Sequence, residues 1–161
     1  MALGETDHEE EQVAYGSIVV GTDGSETAAK AVAKAAELAA ADGSRLVIVT
    51  AYVPGGQREG VPEDEVPADI RHVLTDRVQA EELAEASRQA ALASGAPRVT
   101  VQALAGDPAE VILEAAGDFL ADLIVVGSRG LTSHAHFILG SVAASVAHHA
   151  PCDVLVEHTT A

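Results

Sequence analysis

Along this chain, short runs of branched aliphatic residues alternate with alanine-rich helical stretches, and that alternation restricts the fold more than any other feature. Ser17-Ile-Val-Val-Gly21 is a β-branched run without polar interruption, as expected of a strand covered on both faces. Thr22-Asp-Gly-Ser25 is turn chemistry, and Ser25 or Thr27 can cap the helix that follows. That helix is expected over 27–41, with Val32, Ala36 and Ala39–Ala40 on its apolar period and Asp42-Gly43 as its stop. Leu46-Val-Ile-Val49, continuing to Tyr52, is a second buried strand. Residues 54–67, rich in Gly, Pro and acids, form a surface loop.

The second half repeats the alternation. A long helix is expected over 68–94, with Ile70, Val73, Leu74, Val78, Leu83 and Leu92 apolar and Gly95 as its stop. Val99 to Leu104 alternates as a strand near a sheet edge does. Asp107 is placed to cap a helix opened by Pro108. Leu123-Ile-Val-Val126 is a fourth strand, Ser141 to His149 a last helix, and Asp153-Val-Leu-Val156 a fifth strand. Strands separated by helices call for a parallel sheet with right-handed crossovers covering both faces, an α/β sandwich of three layers. Residues 1–14, with Glu5, Asp7, Glu9, Glu10 and Glu11, are expected to be a disordered acidic tail, and 15–161 a single domain.

Composition narrows the function. The 161 residues include 9 basic and 25 acidic side chains, a formal net charge of −16, which repels nucleic acid and anionic lipid. No apolar run approaches the roughly 18 residues of a membrane span. A single cysteine, Cys152, excludes a disulfide framework and multi-cysteine metal sites. The acidic N-terminus is the opposite of a signal peptide, and a cytoplasmic location is expected.

In parallel α/β sheets ligands sit beyond the carboxyl ends of the strands, where the strand order switches direction. Two glycine-bearing loops fall at such ends: Gly21-Thr-Asp-Gly24, and Gly127-Ser-Arg-Gly130. After nine intervening residues, 131–139, come Gly140, Ser141 and Val142. This is the chemistry of a phosphate cradle. Glycines let the backbone approach phosphate oxygens, and the helix opening at Ser141 offers free N–H groups and a positive dipole end. Other nucleotide motifs are absent. Neither Lys30 nor Lys34 follows a glycine, so there is no P-loop, and no two glycines stand two apart as a dinucleotide fingerprint requires. No Gly-x-Ser-x-Gly elbow occurs.

Gly-x-x-Gly, nine residues, then Gly-Ser resembles the nucleotide motif of the universal stress protein family, in its ATP-binding branch. Val19 to Ser25, Gly106-Asp-Pro108 and Ala150-Pro151-Cys152 are similar to other segments of that family, and the resemblance spans roughly 16–157. It implies a Rossmann-like fold whose five parallel strands run in the order 3-2-1-4-5. It further implies ATP bound with Mg²⁺ and a homodimer formed through the last strand, Val154, Leu155 and Val156. By position, Thr22 would meet the adenine edge, and Asp23 the ribose–adenine region or the metal. Ser25 lies in the same loop, and Ala51 would line the adenine pocket. Gly127, Arg129, Gly130, Gly140, Ser141 and Val142 would surround ribose and phosphates.

Ala135 and His136 stand where family members often carry Lys and Arg, which keeps cyclic AMP open as the ligand. A regulatory binding module, a slow ATP hydrolase or autophosphorylating enzyme, and a cyclic AMP binder all remain compatible with the motif. Asp23 can equally serve as a turn former, and Cys152 as a small hydrophobe. His148 and His149 suit the negative end of their helix, whereas His134 and His136 lack a third metal ligand.

Overall fold

The computed structural model describes residues 14–53, 77–128 and 139–158. Its elements in chain order are β1 (Ser17–Gly21), α1 (Glu26–Asp42), β2 (Arg45–Tyr52), α2 (Arg77–Ala93), β3 (Arg98–Ala105), α3 (Pro108–Asp118), β4 (Leu123–Gly127), α4 (Ser141–His149) and β5 (Asp153–Glu157). The five strands form one parallel sheet in the order β3-β2-β1-β4-β5. The doubly covered parallel sheet and the 3-2-1-4-5 order are thus as expected.

Side chains alternate across a strand, so each buried strand feeds two cores. Ile18, Val20, Leu46, Ile48, Leu123 and Val125 pack on one face with α1 and with Ala91 of α2. Val19, Val47, Val49, Ile124 and Val126 pack on the other with α3 and α4. This explains why these strands carry uninterrupted aliphatic runs.

The helices differ from the expected apolar stripes in one respect. The sheet-facing positions of α1 are Ala31, Val32, Ala35, Ala36 and Ala39, and Ala40 is exposed. In α2 the buried residues are Ala80, Ala84 and Ala91. Val78 is 61% exposed, while Leu83 and Leu92 are half-buried. Alanine has no side-chain bulk beyond Cβ, so it lets a helix lie close on the sheet and moves larger neighbours to its flanks. Ile70, Val73, Leu74 and the 54–67 loop lie outside the described residues.

Caps set the helix ends. The Ser25 hydroxyl accepts the Ala28 N–H at 3.1 Å, and Gly43 closes α1 in the left-handed conformation. Asp107 caps α3 by accepting from Ala109 and Glu110, with Pro108 in the first turn. At the amino end of the sheet, Asp122 accepts the Gly16 N–H at 2.8 Å and the Ser17 N–H at 3.0 Å. The Ser17 hydroxyl donates to the Phe119 carbonyl at 3.1 Å. One carboxylate thereby joins the entry to β1 with the turn that starts β4.

Asp122→Ala removes two charge-assisted acceptors from the start of β1. It should lower the unfolding free energy by about 2 kcal/mol in chemical denaturation, without changing the helix content. A loss below about 0.5 kcal/mol would show that water replaces the carboxylate freely.

Candidate functional site at the strand carboxyl ends

β1 pairs with β2 on one side and β4 on the other, so its carboxyl end is the point where the strand order reverses. The residues that leave β1 and β4, Thr22–Ser25 and Ser128, therefore stand at one crevice.

Each residue after β1 has a defined place. Gly21 is the closest approach of strand to helix: a Cβ there would lie 2.5 Å from Cδ1 of Ile112 on α3. Thr22 is buried, and its N–H donates to the Val49 carbonyl at 2.9 Å, extending the β1–β2 ladder by one bond. Its hydroxyl oxygen accepts the Gly24 N–H at 3.2 Å. Asp23 is half-buried, and its Oδ1 accepts the Ser25 N–H at 2.9 Å. Asp23 is thus the turn former that its residue type allowed, and no described hydrogen bond engages its second carboxylate oxygen. Ala51 lies near the end of β2, half-buried, on the face covered by α3. Gly24 has φ +80, and a Cβ on it would meet the Leu83 side chain at 3.0–3.1 Å.

The loop after β4 is closed at its base by two backbone bonds. The Ser128 N–H donates to the Glu157 carbonyl at 2.8 Å, and the Ser128 carbonyl accepts the Gly140 N–H at 2.9 Å. The second bond brings together the two halves of the glycine motif, Gly127 at the end of β4 and Gly140 at the head of α4. Gly140 is buried, with φ −57 and ψ 157, and gives α4 no side-chain cap. The other capped helices of the fold, α1 and α3, have Ser25 and Asp107 in that place. The first-turn N–H groups of α4 therefore face the crevice side of the sheet without a capping side chain, in the arrangement that favours an anion. Ser141 is exposed at the head of α4, and Val142 is half-buried against the core. Sequence reasoning did not single out Ser128, because its part is played by backbone atoms that any residue type supplies.

Arg129 and Gly130, with His134, Ala135 and His136, lie outside the described residues. Three of the described cations are engaged on helices: Arg77 with Glu81 at 2.8 Å, Arg88 with Glu85 at 3.1 Å, and Lys34 with Glu37 at 3.6 Å. Cys152 is half-buried; burial first, then Asp153 and Asp122, push its thiol pKa up. That keeps it protonated and unreactive at neutral pH. His149 Nδ1 lies 2.9 Å from the Ser145 carbonyl at the end of α4. Among the described residues no three metal-ligating side chains cluster, and no helix is long and apolar enough to cross a membrane. A groove of about 250 Å³ runs between α1 and α2, lined by residues such as Val32, Leu83 and Ala90, and reaches Thr22, Gly24 and Ser25 of the loop after β1.

Comparison with known proteins agrees with this fold. Residues 14–158 match the model of the universal stress protein family. A universal stress protein of Mycobacterium tuberculosis is 37% identical over 147 residues, covering 91% of this chain and 99% of the relative. One from Thermus aquaticus is 39% identical over 142 residues, 88% of this chain and 98% of the relative. Among solved structures, a universal stress protein in complex with cAMP is 34% identical with a TM-score of 0.70, covering 91% of this chain and 98% of that one. The universal stress protein from Archaeoglobus fulgidus in complex with dAMP is 25% identical with a TM-score of 0.64, covering 88% and 97%.

Gly24→Ala tests the loop after β1. It forces a side chain into the left-handed region and against Leu83. The expected cost in chemical denaturation is about 1–2 kcal/mol. Gly24→Asn should recover part of it, because Asn tolerates that conformation. Equal stability of both variants with the parent would contradict this loop conformation.

Proposed function

The chain belongs to the universal stress protein family, and from its strand-end geometry we propose that it is a regulatory module that binds ATP with Mg²⁺. The observation that carries this is the Ser128–Gly140 hydrogen bond of 2.9 Å. It sets the uncapped head of α4 beside Gly127 at the switch point, next to the Thr22–Asp23 turn. The residues present suit such a ligand. Ser141 and Val142 offer backbone donors to phosphate oxygens, and the Ser141 hydroxyl adds another. Gly127, Arg129 and Gly130 belong to the same phosphate and ribose cradle. Thr22 and Ala51 frame the adenine, and Asp23 has a carboxylate oxygen for a ribose hydroxyl or for the metal. Mg²⁺ would supply charge neutralisation that this acidic chain provides sparsely.

Cyclic AMP is the second reading. It is supported by the neighbour solved with cAMP and by the lack of Lys and Arg in the described strand-end loops. A cyclic phosphodiester carries one charge and needs fewer cations than a triphosphate. Calorimetric competition between Mg-ATP and cyclic AMP decides between the two. Gly130→Val places branched carbons where the cradle needs bare backbone. It should weaken the preferred nucleotide at least tenfold, about 1.4 kcal/mol. Unchanged affinity in a folded variant would remove this loop from the site.

We also propose a homodimer through the free side of β5. Its residues Val154, Leu155 and Val156 are half-buried although the strand is the last of the sheet. Such an edge invites pairing with another chain. Val154→Asp together with Val156→Asp should give monomer of reduced stability, since both valines also touch the α3–α4 core. A parent protein that light scattering finds monomeric up to about 100 µM at both low and high salt would refute the dimer.

A further inference from the structure

The sequence of β5 has a consequence for that dimer. In symmetric antiparallel pairing of one strand with its copy, each residue pairs with a position reflected through the central residue. The register that pairs all five residues of Asp153–Glu157 is centred on Leu155. Leu155 then meets the partner's Leu155, and Asp153 meets the partner's Glu157 at both ends of the strand. Opposed residues in an antiparallel pair stand on the same face with Cβ atoms about 4.5–5.5 Å apart. Leu155 belongs to the core under α1, whereas Val154 and Val156 belong to the opposite core. Asp153 and Glu157 therefore share the Leu155 face by strand alternation, and both meetings are carboxylate against carboxylate.

These carboxylates have no described counter-charge, and the strand that carries them is fixed at both ends. No described ion pair includes Asp153 or Glu157. Asp153 Oδ2 accepts the Tyr15 hydroxyl at 3.0 Å, which anchors it beside the entry to β1. The same bond is the first cause of a raised Tyr15 hydroxyl pKa. The backbone of Glu157 is fixed by the Ser128 N–H at 2.8 Å. Like charges directly opposed on neighbouring strands are destabilising, and charged residues on an edge strand keep chains apart. The net charge of −16 on each chain adds to the repulsion.

Resting on the reading of β5 as the dimer edge, we propose that Asp153 and Glu157 gate self-association by ionic strength. Full-register pairing of β5 then forms readily only where salt screens the two carboxylate pairs. A strand slipped to a centre on Val154 or Val156 would avoid the collision, but it would sacrifice pairs at one end.

Sedimentation velocity of the full chain tests this at about 50 mM and about 1 M NaCl, against screening lengths of about 14 Å and 3 Å. The parent dimer is expected to tighten at least tenfold between the two. Glu157→Lys places a cation opposite each Asp153, twice per dimer by symmetry. It should tighten the low-salt dimer at least tenfold, with little further gain at high salt. Glu82→Lys makes the same change in net charge on exposed α2 and should shift the dimer by less than threefold. Asp153→Lys combined with Glu157→Lys opposes cations and should restore the salt dependence. Circular dichroism confirms that each variant is folded. If the parent dimerises with no salt dependence, or if Glu157→Lys and Glu82→Lys behave alike, the gate is wrong and the dimer stands. If the parent stays monomeric at both salts up to about 100 µM, far above the micromolar range of an ordinary specific dimer, dimer and gate fall together.

Discussion

The enclosure of β1 is the constraint on which the rest depends. Ile18, Val19 and Val20 are 0% exposed, with a strand on each side and a helical layer on each face. The enclosed stretch Ile18–Val20 carries no polar side chain, and its polar backbone must be satisfied by neighbours. β2 and β4 provide those bonds, one on each side. The chain leaves β1 toward β2 and returns only later to β4, so the two crossovers depart in opposite directions. The crevice at the carboxyl end of β1 is a consequence of that routing. The described residues that border it, Thr22–Ser25 and Ser128, inherit their positions from a strand with no chemistry of its own.

The fold was legible because burial on both faces leaves a simple trace, a branched aliphatic run ending in glycine. Helix starts at Ser25 and Asp107 were equally plain, since a cap needs a specific side chain at a specific offset. The packing of the helices was less so. The apolar period pointed to Val78, Leu83 and Leu92 on α2, whereas Ala80, Ala84 and Ala91 meet the sheet. A hydropathy pattern rewards size, but a helix lying close on a sheet rewards the absence of size. In an alanine-rich chain these criteria select different faces.

The site was legible in its spacing and not in its connections. The glycine motif pointed to Gly127 and Gly140, which stand together at the carboxyl ends of the strands, and the family match bears out the resemblance it carried. What joins the halves is a bond between the Ser128 carbonyl and the Gly140 N–H, atoms that every such residue has. No sequence pattern distinguishes a carbonyl that closes a loop from one that faces water. Asp23 shows the converse. Its residue type allowed both a turn former and a ligand contact, and the carboxylate is able to do both. One oxygen holds the Ser25 N–H, while the other has no described hydrogen-bond partner.

Electrostatics connects the crevice to the edge of the sheet. A chain of net charge −16 has few mobile cations to offer the proposed anionic ligand, because three of its described ones are committed to helical carboxylates. Backbone dipoles do not have this difficulty. The head of α4 is positive whatever the surface charge, and it costs no reorganisation when an anion arrives. The same scarcity of cations leaves Asp153 and Glu157 without counter-charges on β5. Between the two stands Ser128. Its carbonyl holds Gly140 at the head of α4, and its N–H holds the carbonyl of Glu157 at the end of β5. The head of α4 and the end of the edge strand are therefore joined through the backbone of one residue, so the proposed anion cradle and the proposed dimer edge share a support.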